Sequence, residues 1–283
     1  VTSAVATPVD RPARSRRPVV GTSTLTRGSG LALGIALTWF SLLVLIPLAA
    51  IVATTAAGGW EQFWRIVTND QTLSAIKLTV GSALMVTLVN VFMGTAIAWV
   101  LVRDHFWGKR ILDVTIDIPF ALPTIVAGLV LLALYGKNSP LGLEWANTEM
   151  SVNLALAFVT LPFIVRTVQP VLEELEHDVE EAAASLGASR LTIFRRIILP
   201  SLTPAIAAGA ALSFARAISE YGSLVLLSGN LPFRTEVVSV RVLSFIEGGN
   251  TAAAAALATV MLVVALVVIV AVDLISRRVA RRG

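Results

Sequence analysis

Between Arg196 and Arg234 only two residues carry a charge, Arg216 and Glu220, and they stand one helical turn apart. The hydroxyls of Ser213, Ser219 and Ser223 lie within a few residues of them. In an apolar setting such a group can do two kinds of work. It can form a buried ion pair that locks one helix against a neighbour. Alternatively, the guanidinium can help a dianion past a low-dielectric centre while the hydroxyls act as donors. Arg216 lies about 18 Å from Pro204 on an ideal helix, near the middle of a bilayer. A charge at that depth is costly unless it is paired or hydrated. Glu220 is the evident partner, although Arg before Glu is the weaker order for an i, i+4 pair. The sequence leaves both roles open.

A second group of residues offers mechanical work. From His177 to Pro204 the chain reads HDVEEAAASLGASRLTIFRRIILPSLTP, which predicts two short helices around a turn. Glu180 to Leu186 is rich in Ala and Glu, which lose little on entering a helix, and its acidic start suits the helix dipole. Gly187 is the natural left-handed terminator. Ser189 can cap the second helix, in which Leu191, Phe194 and Ile197 or Ile198 share a face and Arg190, Arg195 and Arg196 occupy much of the rest. Pro200 and Pro204 close this helix and open the next. The product is a rigid amphipathic elbow at a membrane surface. A helix lying passively on anionic lipid would show the same periodicity.

Other chemistries find no support. The chain lacks cysteine, so it has no disulfide, thiolate metal site or cysteine nucleophile. His105 and His177 stand isolated on opposite loops without HExxH or a carboxylate cluster, and read as solvated loop histidines. Neither Gly108-Lys109-Arg110 nor Gly136-Lys137-Asn138 supplies the GxxxxGK[ST] loop that wraps phosphates and places a hydroxyl on magnesium.

The elements that must position these residues follow from composition. Of 283 residues, 56% are hydrophobic and 14% charged, with a mean hydropathy of +0.82, which is the profile of a membrane protein. Basic and acidic residues nearly balance, and a nucleic-acid partner is not expected. The Arg-, Pro-, Ser- and Thr-rich residues 1–30 are expected to form a disordered tail. The charge-free stretch from Gly28 to Trp60 is too long for a signal peptide's apolar core and ample for a span. Charge-free windows predict six spans, at 31–56, 78–102, 116–135, 151–171, 203–228 and 252–273. Kinks are expected at Pro47, Pro119, Pro123, Pro162 and Pro204. Small residues, Gly94, Gly128, Gly209 and the alanines from Ala252 to Ala256, should let helices approach closely.

Lys and Arg set the orientation. Arg11, Arg14, Arg16, Arg17, Arg27, Arg103, Lys109, Arg110, Arg166, Arg190, Arg195, Arg196, Arg277, Arg278, Arg281 and Arg282 fall on one side of the six-span plan. Only Arg65, Lys77, Lys137, Arg234 and Arg241 fall on the other. Both termini, the connection at 173–200 and the basic end at 276–283 are thereby predicted to be cytoplasmic.

The elbow carries a further pattern. Glu181-Ala182-Ala183, three residues, Gly187, nine residues, Ile197, one residue, then Leu199 and Pro200 resembles the EAA loop of bacterial ABC importer permeases. The resemblance implies an all-α membrane protein, a type I (MetI-like) bundle of six transmembrane helices with its permease core at 72–275. It also implies that Glu181, Ala182, Ala183, Gly187, Leu191, Phe194, Ile197, Leu199 and Pro200 form a coupling helix docked on a separate ATPase. ATP and Mg would be bound by that ATPase, and no cofactor by this chain. Within the family, Trp99 to Arg103, Asp117 to Thr124, Leu134 to Pro140 and Phe214 to Gly222 resemble the T-subunit branch of the sulfate/thiosulfate permeases, over about Trp60 to Arg278.

That branch implies a second, homologous permease, two ATPase subunits, an extracytoplasmic sulfate-binding protein and a bacterial plasma membrane. The Arg-Ala-x-x-Glu-aromatic-Gly segment is shared with molybdate permeases, so a molybdate/tungstate importer is the alternative. The segment after Gly229, including Pro232 to Gly249, is expected to meet the binding protein. An ion-coupled secondary carrier would require inverted repeats and coupling carboxylates, of which only Glu220 is visible. A membrane enzyme would require a nucleophile and base on one side of the bilayer, and no such pair stands out.

Overall fold

The computed structural model describes residues 27–175 and 177–280, so residues 1–26 of the expected tail and the terminal Arg281 and Arg282 lie outside the described residues. The chain divides into two units, one ending at Ala49 and the other beginning at Ala50. In the first, α1 (Arg27–Phe40) passes into a π turn at Ser41–Leu45, and α2 (Ile46–Ala57) begins there and ends in the second. Ile46 N–H reaches back to Ser41 O, so the widened turn stands immediately before Pro47, which has no N–H to give.

The second unit continues with α3 (Trp60–Val67), whose Trp60, Phe63 and Trp64 rings pack on one another at 5.5 to 5.7 Å. The long α4 (Asp70–Arg103) begins well before residue 78, because Asn69 accepts from the amides of Gln71 and Thr72 and so caps the helix. Then come α5 (Lys109–Ile116), α6 (Ile118–Ala121), α7 (Thr124–Tyr135), α8 (Glu149–Glu174), α9 (His177–Ser185) and α10 (Arg190–Ile193). A second π turn, Phe194–Ile198, leads into α11 (Leu199–Ile218), and α12 (Gly222–Leu227), α13 (Val238–Glu247) and α14 (Thr251–Ala280) complete the order.

Five helices among the described residues are long and apolar enough to cross a membrane, and a bent pair makes a sixth. That pair corrects the expectation of a simple span at 116–135. Lys109–Ala121 and Thr124–Tyr135 meet at 116°, because Leu122 is extended before Pro123 and neither residue can continue the helix. With 12 residues α7 is about 18 Å long, short of a bilayer's apolar core of about 30 Å. The expectation at 203–228 is corrected as well. The helix ends at Ile218, and α12 turns aside to lie against α7.

Packing follows small residues, as expected. Between α4 and α8 a Cβ on Gly94 would stand 2.7 Å from Ile164 Cβ. Gly209 lets α11 approach α8 at Thr167, and Gly128 and Gly222 bring α7 and α12 together. Ala253, Ala254 and Ala256 are buried on α14. Two apolar cores result. One gathers Val152, Leu156, Phe214, Leu224 and Leu257; the other gathers Ala98, Leu101, Ile164, Val168 and Leu202. Leu88 and Phe92 on α4 and Leu266 and Val267 on α14 point outward, 60 to 74% exposed. A water-soluble bundle does not leave such a belt bare, and a membrane protein turns it to lipid.

Gly94→Val should therefore force α4 and α8 apart. The expected cost is about 1–3 kcal/mol, read as a lower thermal midpoint of the purified chain. Gly81→Val, where nothing lies within 4 Å of the added Cβ, should leave the midpoint in place.

Candidate functional site

The elbow is built as its sequence dictates. At the end of α9, Gly187 has φ +86°, its amide donates to Ala184 O at 2.9 Å, and the Ala188 amide donates to Ala183 O at 3.1 Å. This pair of bonds is a Schellman turn, which needs a left-handed residue where Gly187 stands. Ser189 Oγ then accepts from the Thr192 amide at 3.2 Å and starts α10.

Pro200 does not close the second helix. From Arg190 to Ile218 the helix is continuous, since the Leu199 amide bonds five residues back to Phe194 O and the π turn relieves the clash that Pro200 would create. The extra residue in that turn also changes the packed face. Ile193 and Ile198, five apart, are buried in the second core, whereas Leu191 is 63% exposed. Leu191 therefore does not share the buried face of Ile198 and lies on the outer side of the elbow, where the coupling residues are expected. Phe194, Ile197 and Ala183 are half-buried, and Glu181, Ala182, Gly187 and Leu199 are exposed. Pro200 is half-buried.

Contacts that the sequence did not reveal hold the elbow to the bundle. Arg103, at the end of α4, forms an ion pair with Glu180 and lies 2.9 and 3.0 Å from the ring nitrogens of His177. His177 is thus not an isolated loop residue. The guanidinium also covers the Trp99 ring at 5.6 Å, and Trp99 meets Phe194 edge-on at 5.8 Å. One end of α4 thereby grips both arms of the elbow. Nothing in the spacing of these residues announces contacts across 70 or more positions of sequence.

A second unforeseen clamp fixes the bent pair. Arg166 on α8 makes a fork to Asp117 at 2.8 and 2.7 Å, bonds Asp113 Oδ1 at 2.7 Å and Asp113 O at 2.8 Å, and reaches Gln169 at 2.7 Å. Its N–H donors are all used, in the planar two-oxygen geometry that arginine favours.

The structure also brings Arg216 and Glu220 together, at the end of α11 and not in mid-helix. Arg216 Nη1 lies 2.6 Å from Glu220 Oε2, off the axis of a hydrogen bond. Glu220 is 1% exposed. Its Oε1 accepts from both the amide and the hydroxyl of Ser223 at 2.8 Å, and its backbone O accepts from Ser239 Oγ at 2.7 Å. The carboxylate thus caps α12 while holding Arg216. Ser223 is already occupied, Ser219 donates to Arg216 O at 3.1 Å, and Ser213 is buried without a hydrogen-bond partner among the described residues.

Apolar-belted helices carrying an elbow at one end and a buried ion pair at a helix break define a multi-span membrane protein. Residues 90–282 match the family of binding-protein-dependent transport system inner membrane components. The chain belongs to that family. It is similar to the sulfate transport system permease protein CysT of Escherichia coli strain K12, with 40% identity over 263 residues, 90% of this chain and 95% of the relative. It is 39% identical to the CysT protein of Salmonella typhimurium strain LT2 over the same shares. These shares exceed Trp60 to Arg278, so the likeness also reaches residues before Trp60. The fold resembles a chain of a bacterial ABC transporter involved in the import of the acidic polysaccharide alginate, with a TM-score of 0.71 and 18% identity over 88% of this chain and 94% of that one.

Proposed function

We propose that this chain is the transmembrane permease subunit of an ATP-driven importer that carries sulfate or thiosulfate across the bacterial plasma membrane. The observation that carries the proposal is identity of 39 to 40% along 95% of two sulfate permease proteins, with the elbow and its Gly187 turn intact. On this reading both termini are cytoplasmic, and the chain works beside a second, similar permease, two ATPase subunits and an extracytoplasmic sulfate-binding protein. ATP and Mg belong to the ATPase.

The exposed side of the elbow, with Glu181, Ala182, Gly187 and Leu191, docks on the ATPase. Closure of the two ATPase subunits moves the two elbows together. Because Arg190 to Ile218 is one helix, about 43 Å long, that motion reaches the Arg216–Glu220 break without an intervening hinge. α12 follows the break directly and packs against α7, so the motion continues into that pair.

The test is ATP-driven uptake of labelled sulfate by the assembled transporter, with unlabelled thiosulfate and molybdate as competitors. Competition by thiosulfate and not by molybdate is expected. Uptake abolished by molybdate alone would transfer the proposal to a molybdate importer, and uptake without ATP or ATPase would overturn it.

A further inference from the structure

We propose that a cleft between α4 and α8 is an oxyanion vestibule, in which Lys77 and Arg234 attract a small tetrahedral dianion and Ser82 and Asn153 solvate it. This rests on the oxyanion reading above and names residues that the transported ion would touch. The cleft holds about 330 Å³, roughly ten times a water's share of the liquid, so an oxyanion can occupy it with part of its hydration shell. Its α4 wall is one stripe, Ser74, Lys77, Gly81, Ser82 and Met85, at helical spacing. That stripe covers about 16 Å of axis. It lies toward the end of α4 remote from Arg103 and the elbow, where the sequence places the outer side.

The charges favour an anion. Lys77 and Arg234 both line the cleft, and neither side chain has an ion-pair or hydrogen-bond partner among the described residues. Glu149 is the only carboxylate in the lining, and no ion pair joins it to either cation. Arg234 is carried by a firmly held loop. The amides of Arg234, Thr235 and Glu236 all donate to Leu231 O at 2.9 to 3.1 Å, and Thr235 Oγ1 donates to Ser228 O at 2.5 Å. Phe233, at φ +64°, is in a conformation that a bulky residue rarely adopts, and its carbonyl accepts from Ser74 Oγ at 3.1 Å. The loop that presents one cation is thereby tied to the helix that presents the other.

Neutral donors line the same cleft. Ser82 is 7% exposed and has no hydrogen-bond partner among the described residues. The Asn153 amide is unpartnered too, with Oδ1 buried. An oxyanion accepts from hydroxyl and amide N–H donors alike, so Ser82 Oγ and Asn153 Nδ2 are the groups that can meet it, whereas Asn153 Oδ1 cannot. Two cations draw the ion in; dipoles then hold it loosely enough to be released, which a transit site requires.

The test uses the assembled complex in lipid nanodiscs without binding protein, with radiolabelled inorganic sulfate as the probe. A dianion about 6 Å from a cation in water-like surroundings gains about tenfold in affinity. Lys77→Gln with Arg234→Gln should therefore weaken sulfate binding by about a hundredfold, and Glu149→Gln should tighten it. Gly81→Trp, which fills the cleft, should abolish it. Wild-type complex that binds no sulfate, or a double variant that binds it normally, overturns the site. Loss of binding-protein capture with sulfate binding intact also overturns it, by making the cleft a docking face. Sulfate binding that depends on Lys77 and Arg234 in a complex unable to import sulfate would sink the transport reading and leave the site standing.

Discussion

Replacing Gly187 with arginine is expected to reduce ATP-driven uptake by more than about tenfold while the chain still inserts and folds. Two effects add. A non-glycine residue in the left-handed region costs about 1–2 kcal/mol, enough by itself for roughly a tenfold shift in the population of the correct turn. Arginine also places a long cation on the exposed side of the elbow, where a partner surface must approach closely. Gly187 has no heavy atom within 4 Å of an added Cβ inside this chain, so the side chain meets solvent or partner and not the bundle. Gly187→Asn separates the effects, because asparagine tolerates the left-handed conformation and carries no charge. It should retain a substantial part of uptake. Co-purification of the ATPase with each variant is the measurement: ATPase retained by Gly187→Arg, with normal uptake, would end the docking role. Glu181→Lys, exposed six residues earlier, should act in the same direction with its own fold untouched.

The elbow was legible in advance because its signals are local. A glycine that must be left-handed, a serine that must cap and an Ala-Glu run that favours helix each depend on neighbours within four residues. What periodicity missed is the register: the π turn at Phe194–Ile198 inserts a residue into the period, so Ile193 and Ile198 share the buried face while Leu191 stays exposed. Hydropathy located the spans but not the geometry of 109–135, since Pro119 and Pro123 mark a break without stating its angle. The end of α11 escaped for a different reason. Apolar residues continue through Leu227, and what stops the helix is Glu220 turning its carboxylate to the amide of Ser223. Nor could periodicity show Arg103 meeting Glu180 and His177, or Arg166 meeting Asp113 and Asp117, because those pairs exist only once distant helices have packed.

Glu220→Ala is expected to be the most destabilising single change in the neighbourhood of the break. It strips Arg216 of its counter-charge and α12 of its cap in one step. Removing one member of a buried pair costs about 3–5 kcal/mol, because the other charge is left uncompensated. Arg216 keeps 27% of its side chain exposed, which allows some rehydration and places the expectation toward the lower end of that range. The measurement is the yield and thermal midpoint of the purified chain. Arg216→Ala combined with Glu220→Ala removes the stranded cation, and part of the lost stability should return. What remains missing is the cap on α12, and a further Tyr221→Asp, at the N-cap of that helix, should recover some of it. Uptake by the double variant then decides between the two roles left open by the sequence. Glu220 Oε1 is taken up by Ser223, whose donors are thereby spent, and Oε2 faces Arg216 as a charge pair alone, so we expect the pair to act as a lock. Transport per folded molecule should consequently stay near wild type. A double variant that folds well but transports more than about tenfold slower, a loss of about 1.4 kcal/mol at the barrier, would return Arg216 to the pathway.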